Sequence, residues 1–263
     1  MGYAISLHIG VWKPMGCRGL PTLDGPRWDA LLMAEIARRE GFEVVTVLLG
    51  DEADTTAVTT KITAAAEALK KAGGGTFLIS FSGHGTRTER TETWCLANRE
   101  WQDNELLEAL KAFEENVRVL VVSASCHSGG ISEGRWKRWL REGISDILDA
   151  LGMEKAKPFS RSPKCDLRTR TPVDAADGIK ASVLFLASCG AGELSSDAIE
   201  GVSSPLTVFT HFLWEVWKKG TATNYQDFIN MIRDEVQKKT SQGPTCNTAG
   251  HFPHWFTEKP FTH

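Results

Sequence analysis

Residues 76–85 read TFLISFSGHG and residues 117–130 read VRVLVVSASCHSGG, and these two stretches decide the fold. Each begins with a run of apolar, mostly β-branched or aromatic residues, which is typical of a buried strand. Each then ends in small residues and glycine, as a chain does where it leaves a strand. Open α/β sheets bind their ligands at the carboxyl ends of the strands, so one strand end is expected to present His84 and the other Cys126.

A histidine and a cysteine on neighbouring strand ends form the minimum apparatus for acyl transfer. A thiol is a weak nucleophile until a nearby base removes its proton or a cation lowers its pKa. Either residue alone would be better explained as a packed core side chain. The two together, each flanked by glycine, favour a catalytic role for His84 and Cys126.

The rest of the chain alternates between predicted strands and predicted helices. Strands are predicted at residues 5–9, 44–49, 76–81, 117–122 and 182–187. Helices are predicted at residues 26–39, 55–71, 204–219 and 225–239, and one more begins at residue 103. This alternation indicates the α/β class, with a mostly parallel central sheet covered by helices on both faces.

Composition narrows the range of functions. A chain of 263 residues with 41% hydrophobic residues can bury a sizeable core. The net charge of -3 provides no basic field for binding nucleic acid. No signal peptide and no apolar stretch long enough to span a membrane are recognised, so we expect a cytoplasmic protein with no membrane partner. The six cysteines lack paired spacing and are predicted to be free thiols.

The motifs resemble those of the caspase and metacaspase clan of cysteine peptidases, the peptidase C14 type. Prokaryotic members carry a Ser-Gly-His-Gly segment, found here at residues 82–85, and an Asp-x-Cys-His-Ser-Gly segment, found at 124–129 with Ala124 replacing the acid. Residues 2–10, 180–197 and 224–228 also resemble family segments. The resemblance implies a caspase-like fold in a single peptidase domain, residues 1–263. It divides that domain into a large-subunit-like part (1–150), a loop (151–180) and a small-subunit-like part (181–263).

The same resemblance assigns catalytic roles. Cys126 would attack the peptide carbonyl, and His84 would accept the thiol proton and pass it to the leaving amine. Backbone N–H groups of Gly85 and Cys126 would form the oxyanion hole. The predicted activity is that of a cysteine endopeptidase acting on a protein or peptide substrate without a cofactor. The sequence carries no prediction of oligomeric state.

Four positions bear on the residue that precedes the cut bond, P1. Metacaspases select Arg or Lys with acidic residues, and Ala124 and Ala191 stand where relatives often have those acids. We therefore expect a preference for neutral or apolar P1 residues. Asp29 matches a further acid of the family and Glu193 could compensate, so an Arg- or Lys-specific, metacaspase-like peptidase is the alternative.

Metal dependence is not expected. Calcium takes six to eight oxygen ligands, and near the family's calcium positions the sequence offers two acids, Glu92 and Glu133. We predict calcium independence. A zinc site built from Cys246, His251 and His254 is less favoured than a packed C-terminal segment. It lacks a fourth ligand, and apolar residues surround it in the sequence, namely Phe252, Pro253, Trp255 and Phe256.

One further alternative concerns the activity of the whole protein. A catalytically silent caspase-like binding scaffold is less favoured, because such proteins usually lose the cysteine or the histidine and this chain has both.

The proline-containing stretch at residues 155–177 lies where caspases are cleaved into subunits, so the resemblance makes it a candidate processing loop. A surface insertion that is never cut is the favoured interpretation.

Overall fold

The computed structural model describes residues 2–17, 19–87, 92–125, 178–189, 204–251 and 254–263. Its strands are β1 (Ala4–Val11), β2 (Val44–Leu49), β3 (Gly75–Gly83), β4 (Gly85–Arg87), β5 (Glu92–Cys95), β6 (Glu100–Gln102), β7 (Val117–Ala124), β8 (Ser182–Ala187) and β9 (Thr245–Gly250). Its α-helices are α1 (Gly25–Arg39), α2 (Thr55–Lys71), α3 (Asp103–Leu110), α4 (Val208–Lys219) and α5 (Tyr225–Gln237). Short 3-10 turns cover Gly50–Glu52 and His254–Thr257.

The central sheet has six strands in the order β2-β1-β3-β7-β8-β9. All neighbouring pairs are parallel except β8 and β9, which run antiparallel. The prediction of an α/β fold with a mostly parallel central sheet is confirmed. Strands β3 and β7 are direct neighbours with Ser82 opposite Ala124, so the two motif-bearing strands end side by side at one edge of the sheet.

Two hydrophobic cores lie on opposite faces of this sheet, as the prediction of helices on both faces requires. The first contains apolar residues of α2 and α3, such as Ile62 and Leu106. The second contains apolar residues of α1, α4 and α5, such as Met33, Leu213 and Ile232. Each of these helices repeats apolar residues at a spacing of three or four, which gives one buried stripe per helix.

Strand β3 shows how sequence alternation serves the two faces. Phe77, Ile79 and Phe81 belong to the first core, whereas Leu78 belongs to the second. Ser80 and Ser82 share the face of Leu78, because successive side chains of a strand point to opposite faces. Polar side chains thus lie under the helices of the second core, at the end of β3 that leads to the histidine.

A small antiparallel sheet, β4-β5-β6, follows β3 directly, and the sequence did not predict it. Its strands have three or four residues each, too few for an alternating pattern to be recognised. The antiparallel edge strand β9 was also missed. In the described part of the chain, no helix combines the length and the apolar character needed to cross a membrane.

Candidate active site

His84 lies immediately beyond β3 and is buried, with 8% of its surface exposed. Its Nε2 atom lies 2.7 Å from the carbonyl oxygen of Pro21. A carbonyl oxygen only accepts hydrogen bonds, so this contact requires the proton on Nε2 in the neutral ring and leaves the lone pair on Nδ1. The histidine is therefore held in the tautomer whose Nδ1 can accept a proton.

The backbone around His84 is also fixed. The Cys95 N–H donates to the His84 carbonyl at 2.9 Å, which ties the histidine to β5. A side chain at Gly83 would bring its Cβ within 2.8 Å of the Val11 carbonyl oxygen, so the close approach of β3 to β1 requires glycine there. The motif glycine thus lets the strand end pack tightly against its neighbour.

Pro21 belongs to the loop between β1 and α1, residues 12–24, which is anchored at several points. The Leu23 N–H donates to the Trp12 carbonyl at 3.0 Å and closes the loop on itself. The N–H groups of Met15 and Gly16 both donate to the Ala97 carbonyl, at 3.0 and 3.2 Å. The loop that orients His84 is therefore held against the β5–β6 turn.

The end of β7 is equally well supported. Ser125 is buried, and its carbonyl accepts hydrogen bonds from the Ser188 Oγ at 3.1 Å and the Cys189 Sγ at 3.4 Å. The Ser188 N–H donates to the Ser123 carbonyl at 2.9 Å. Ala124 is buried between these positions. The described residues break off after Ser125 and resume at residue 178, so the predicted nucleophile Cys126 lies outside them, as do Ala191, Glu193 and Glu133.

Trp94 connects the two strand ends, and the sequence analysis missed it. Its indole Nε1 donates to the Ser123 Oγ at 3.0 Å, and its ring stacks on Phe81 with centroids 4.7 Å apart. It also sits opposite Gly85, the predicted oxyanion-hole residue, in the β4–β5 pairing. A tryptophan in an unpredicted strand offers no sequence signal for such a contact.

Asp29, a predicted substrate-binding residue, lies near the start of α1 with 1% of its surface exposed. Its carboxylate accepts hydrogen bonds from Ser82 Oγ at 2.7 Å, Thr207 Oγ1 at 2.6 Å and the Thr207 N–H at 3.0 Å. We call Asp29, Ser82 and Thr207 the Asp29 network. Burial raises the pKa of Asp29 to about 6, although these hydrogen bonds act in the opposite direction.

A second buried polar contact lies on the same face. His8 on β1 places its Nδ1 2.8 Å from the Ser80 Oγ, and burial lowers the pKa of His8 to about 3. The ring is therefore neutral near pH 7. Its Nε2 has no hydrogen-bond partner in the described structure. His8 was not singled out in the sequence, because one histidine within an apolar strand is usually a core residue.

The cysteines differ from the prediction at one position. Cys17, Cys95 and Cys189 are free and buried, as expected. Cys246 is disulfide-bonded, so the prediction of free thiols is wrong there. Among the described residues, one group of three potential metal ligands converges, namely Cys17, Cys95 and Glu100.

Comparison with known proteins identifies the family. The family model of the peptidase C14 caspase domain matches residues 9–252. The chain belongs to the caspase-domain family. No curated protein sequence matches it significantly. The resemblance noted in the motifs is thereby confirmed, and the family is one of cysteine peptidases.

Several solved structures share the fold. Protein GSU0716 from Geobacter sulfurreducens is 29% identical, with a TM-score of 0.68 over 99% of this chain and 98% of that one. Caspase-1 from Spodoptera frugiperda is 14% identical, with a TM-score of 0.55 over 98% and 90% of the two chains. A structure of pro-sf-caspase-1 is 11% identical, with a TM-score of 0.50 over 94% and 87%. At these lower identities, the two caspase structures support the fold alone.

Proposed function

We propose that this caspase-domain protein is a cysteine endopeptidase in which Cys126 is the nucleophile and His84 the general base. The observation that carries the proposal is the hydrogen bond from His84 Nε2 to the Pro21 carbonyl, at 2.7 Å. A packed structural histidine has no need of a free Nδ1 at the ligand-binding edge of the sheet. A general base needs that nitrogen unprotonated and the ring fixed.

The register of the sheet supports the pairing of these two residues. Ser82 on β3 lies opposite Ala124 on β7, and His84 and Cys126 each follow two residues later in the sequence. Neighbouring strands lie about 4.8 Å apart. The strand ends that precede His84 and Cys126 in the sequence are therefore level with each other, which supports their proposed roles as a base and a nucleophile that exchange a proton.

The proposed reaction has two steps. His84 takes the thiol proton as the Cys126 sulfur bonds to the peptide carbonyl carbon, and the backbone N–H groups of Gly85 and Cys126 stabilise the oxyanion. The C–N bond then breaks, and the imidazolium donates its proton to the departing amine, leaving a thioester. Water, deprotonated by His84, attacks the thioester and releases the carboxylate product and the free thiol.

Two features favour a neutral or apolar P1 residue over Arg or Lys. Ala124 supplies no carboxylate two residues before the nucleophile. The carboxylate of Asp29 already accepts hydrogen bonds from Ser82 and Thr207. Recruiting it to a substrate cation would break buried hydrogen bonds, so the proposed P1 pocket is uncharged. We also propose calcium independence, because Glu92 and Glu133 supply too few carboxylates for a calcium site.

We further propose one catalytic domain, residues 1–263. Strands β8 and β9 belong to the same sheet as β1, β3 and β7. In the sequence, residues 151–180 lie between these two groups of strands. The large-subunit-like and small-subunit-like parts therefore share one sheet. The family match over residues 9–252 covers most of this range.

The proposal is tested by the Cys126→Ala and His84→Ala variants. Each should lower kcat/KM on a cleaved peptide by about four orders of magnitude or more. His251→Ala, which replaces an exposed histidine, is the matched control and should keep full activity. An electrophilic peptide should label the parent protein at Cys126 and leave Cys126→Ala unlabelled. Undiminished turnover in a clean Cys126→Ala preparation would overturn the proposal.

A further inference from the structure

Two buried thiols and one carboxylate converge beside the loop that orients His84. Cys17 lies in the loop of residues 12–24, Cys95 ends β5 and Glu100 begins β6. The two sulfur atoms and a carboxylate oxygen of Glu100 all lie within 4.8 Å of one another. Both cysteines are buried, whereas Glu100 is exposed. We call these three residues the thiol cluster.

Backbone contacts bring the three residues of the thiol cluster together. Cys95 and Glu100 face each other directly in the antiparallel pairing of β5 with β6. Gly16 brings Cys17 to them, because a Cβ at position 16 would lie 1.9 Å from the Asn98 carbonyl oxygen. Only glycine permits so close an approach of the two backbones. The juxtaposition is therefore built into the main chain.

The charge of the thiol cluster comes from the Glu100 carboxylate, and the two thiols beside it are buried. Among the described residues, no Lys, Arg or His pairs with the Glu100 carboxylate, since Arg99 pairs with Glu105 instead. A divalent ion would supply a positive partner for this carboxylate, and the two thiols would lose their protons on binding it.

We propose that Cys17, Cys95 and Glu100 bind one Zn²⁺ ion, with water as the fourth ligand. Zinc prefers cysteine, histidine and carboxylate ligands in a tetrahedron, with bonds of about 2.3 Å to sulfur and about 2.1 Å to oxygen. That geometry places the ligand atoms roughly 3.6–3.8 Å apart, so each separation would need to shorten by about 1 Å at most. A disulfide would require about 2.05 Å between the sulfurs and would leave Glu100 without a role.

The ion would cross-link the loop of residues 12–24 to the β5–β6 hairpin. The same loop carries Pro21, whose carbonyl accepts the hydrogen bond from His84, and the same hairpin donates from Cys95 to the His84 backbone. The proposed zinc would thus support the histidine from outside the candidate active site, through this loop and this hairpin. Its binding does not depend on the proposed peptidase activity, so the two proposals can fail separately.

The test is zinc binding by reduced, metal-free protein carrying Cys126→Ala, which removes the thiol of the candidate active site. Competition with a chromogenic chelator should show one Zn²⁺ per chain, and Co²⁺ should give a thiolate-to-metal charge-transfer band. Cys17→Ser should weaken zinc binding by about a hundredfold or more and lower the intensity of that band, and Glu100→Gln should weaken zinc binding by about tenfold. Cys189→Ala and Glu115→Gln, outside the thiol cluster, should bind zinc unchanged.

Several results would overturn the proposal. These are the absence of stoichiometric zinc, equal zinc affinity in Cys17→Ser, or a Cys17–Cys95 disulfide that yields no zinc binding after reduction. Glu100 is exposed, so Glu100→Gln should fold even if Cys17→Ser does not. Zinc should raise the Tm of the parent more than that of Glu100→Gln at equal concentration. Equal shifts in the two proteins would also contradict the proposal.

Discussion

The Asp29 network and the thiol cluster both support the segment that carries His84, but they treat a carboxylate in opposite ways. Asp29 is buried and accepts three hydrogen bonds from Ser82 and Thr207. Glu100 is exposed and faces two buried thiols. The first carboxylate is satisfied by donors of the fold itself. Beside the second, within the described part of the chain, lie two thiols, which are weak donors, and a thiophilic cation would complete this set of ligands.

This difference assigns the two clusters different tasks. The Asp29 network joins three distant elements, because Ser82 ends β3, Asp29 lies on α1 and Thr207 precedes α4. All three of these hydrogen bonds to the Asp29 carboxylate come from protein groups. The thiol cluster joins a loop to a hairpin near the surface, where an ion and a water molecule have access. A carboxylate is thus part of the packed structure in one case and a candidate metal ligand in the other.

The largest predicted effect concerns the free energy of unfolding, and it tests whether Asp29 is as buried as the network implies. Its pKa is raised to about 6 in the folded protein, above its ordinary value of 3.8. The folded state therefore holds a proton that the unfolded state releases between these values. This contribution is complete below about pH 4 and is lost as the pH rises through 6.

Asp29→Asn removes this titration. Relative to Asp29→Asn, the parent should lose about 3 kcal/mol of unfolding free energy between about pH 4 and about pH 7. Urea unfolding at several pH values measures the difference. Asp51→Asn, at an exposed position, is the control and should follow the parent at every pH. Parallel curves for the parent and Asp29→Asn would show that the hydrogen bonds outweigh burial and keep the carboxylate ionised.

The comparison also shows which parts of the molecule could be predicted from the sequence. The ends of β3 and β7 were predicted, because apolar runs followed by glycine have one structural meaning in an alternating α/β chain. His84 was therefore placed correctly at the end of its strand. The small sheet β4-β5-β6 was not predicted, and with it Trp94 and the thiol cluster were missed.

The missed contacts share a physical cause. Cys17 and Cys95 are 78 residues apart, and Asp29 and Thr207 are 178 residues apart, so only tertiary packing brings each pair together. The hydrogen-bond partner of His84 is a main-chain carbonyl, which every residue possesses and no sequence motif marks. The resemblance to the family pointed to Asp29, but it carried no information on which protein donors occupy the carboxylate.

A smaller effect is predicted for substrate choice, and it asks whether Asp29 is available to a substrate. If Ser82 and Thr207 occupy its carboxylate, a peptide with Leu at P1 should be cleaved at least about tenfold faster in kcat/KM than its Arg counterpart. Burial of an apolar side chain next to Ala124 supplies the preference. Matched peptides that differ only at P1 measure it.

Ala124→Asp should shift this preference toward Arg, because it restores a carboxylate at the position two residues before the nucleophile. Ala124→Asn is the matched control, because asparagine has the size of aspartate without its charge. This variant should still disfavour Arg at P1. A tenfold or greater preference of the parent for Arg would contradict the uncharged pocket. It would also show that Asp29 exchanges its protein donors for the substrate.

The smallest predicted effect is the response to calcium removal, and it separates hard from soft cation chemistry. Calcium requires six to eight oxygen ligands, whereas the thiol cluster offers one carboxylate and two sulfurs. Thr86 and Thr93 hydrogen-bond each other at 2.7 Å, so in the stretch 86–93 these two hydroxyls are already engaged. After a calcium chelator is added and dialysed away, kcat/KM should stay within about twofold of its starting value when Zn²⁺ is supplied. Because such chelators also bind zinc, each ion is then added back alone. Recovery of activity with Zn²⁺ would agree with the proposed zinc site in the thiol cluster. Recovery that requires Ca²⁺ would show that Glu92 and Glu133 form a calcium site.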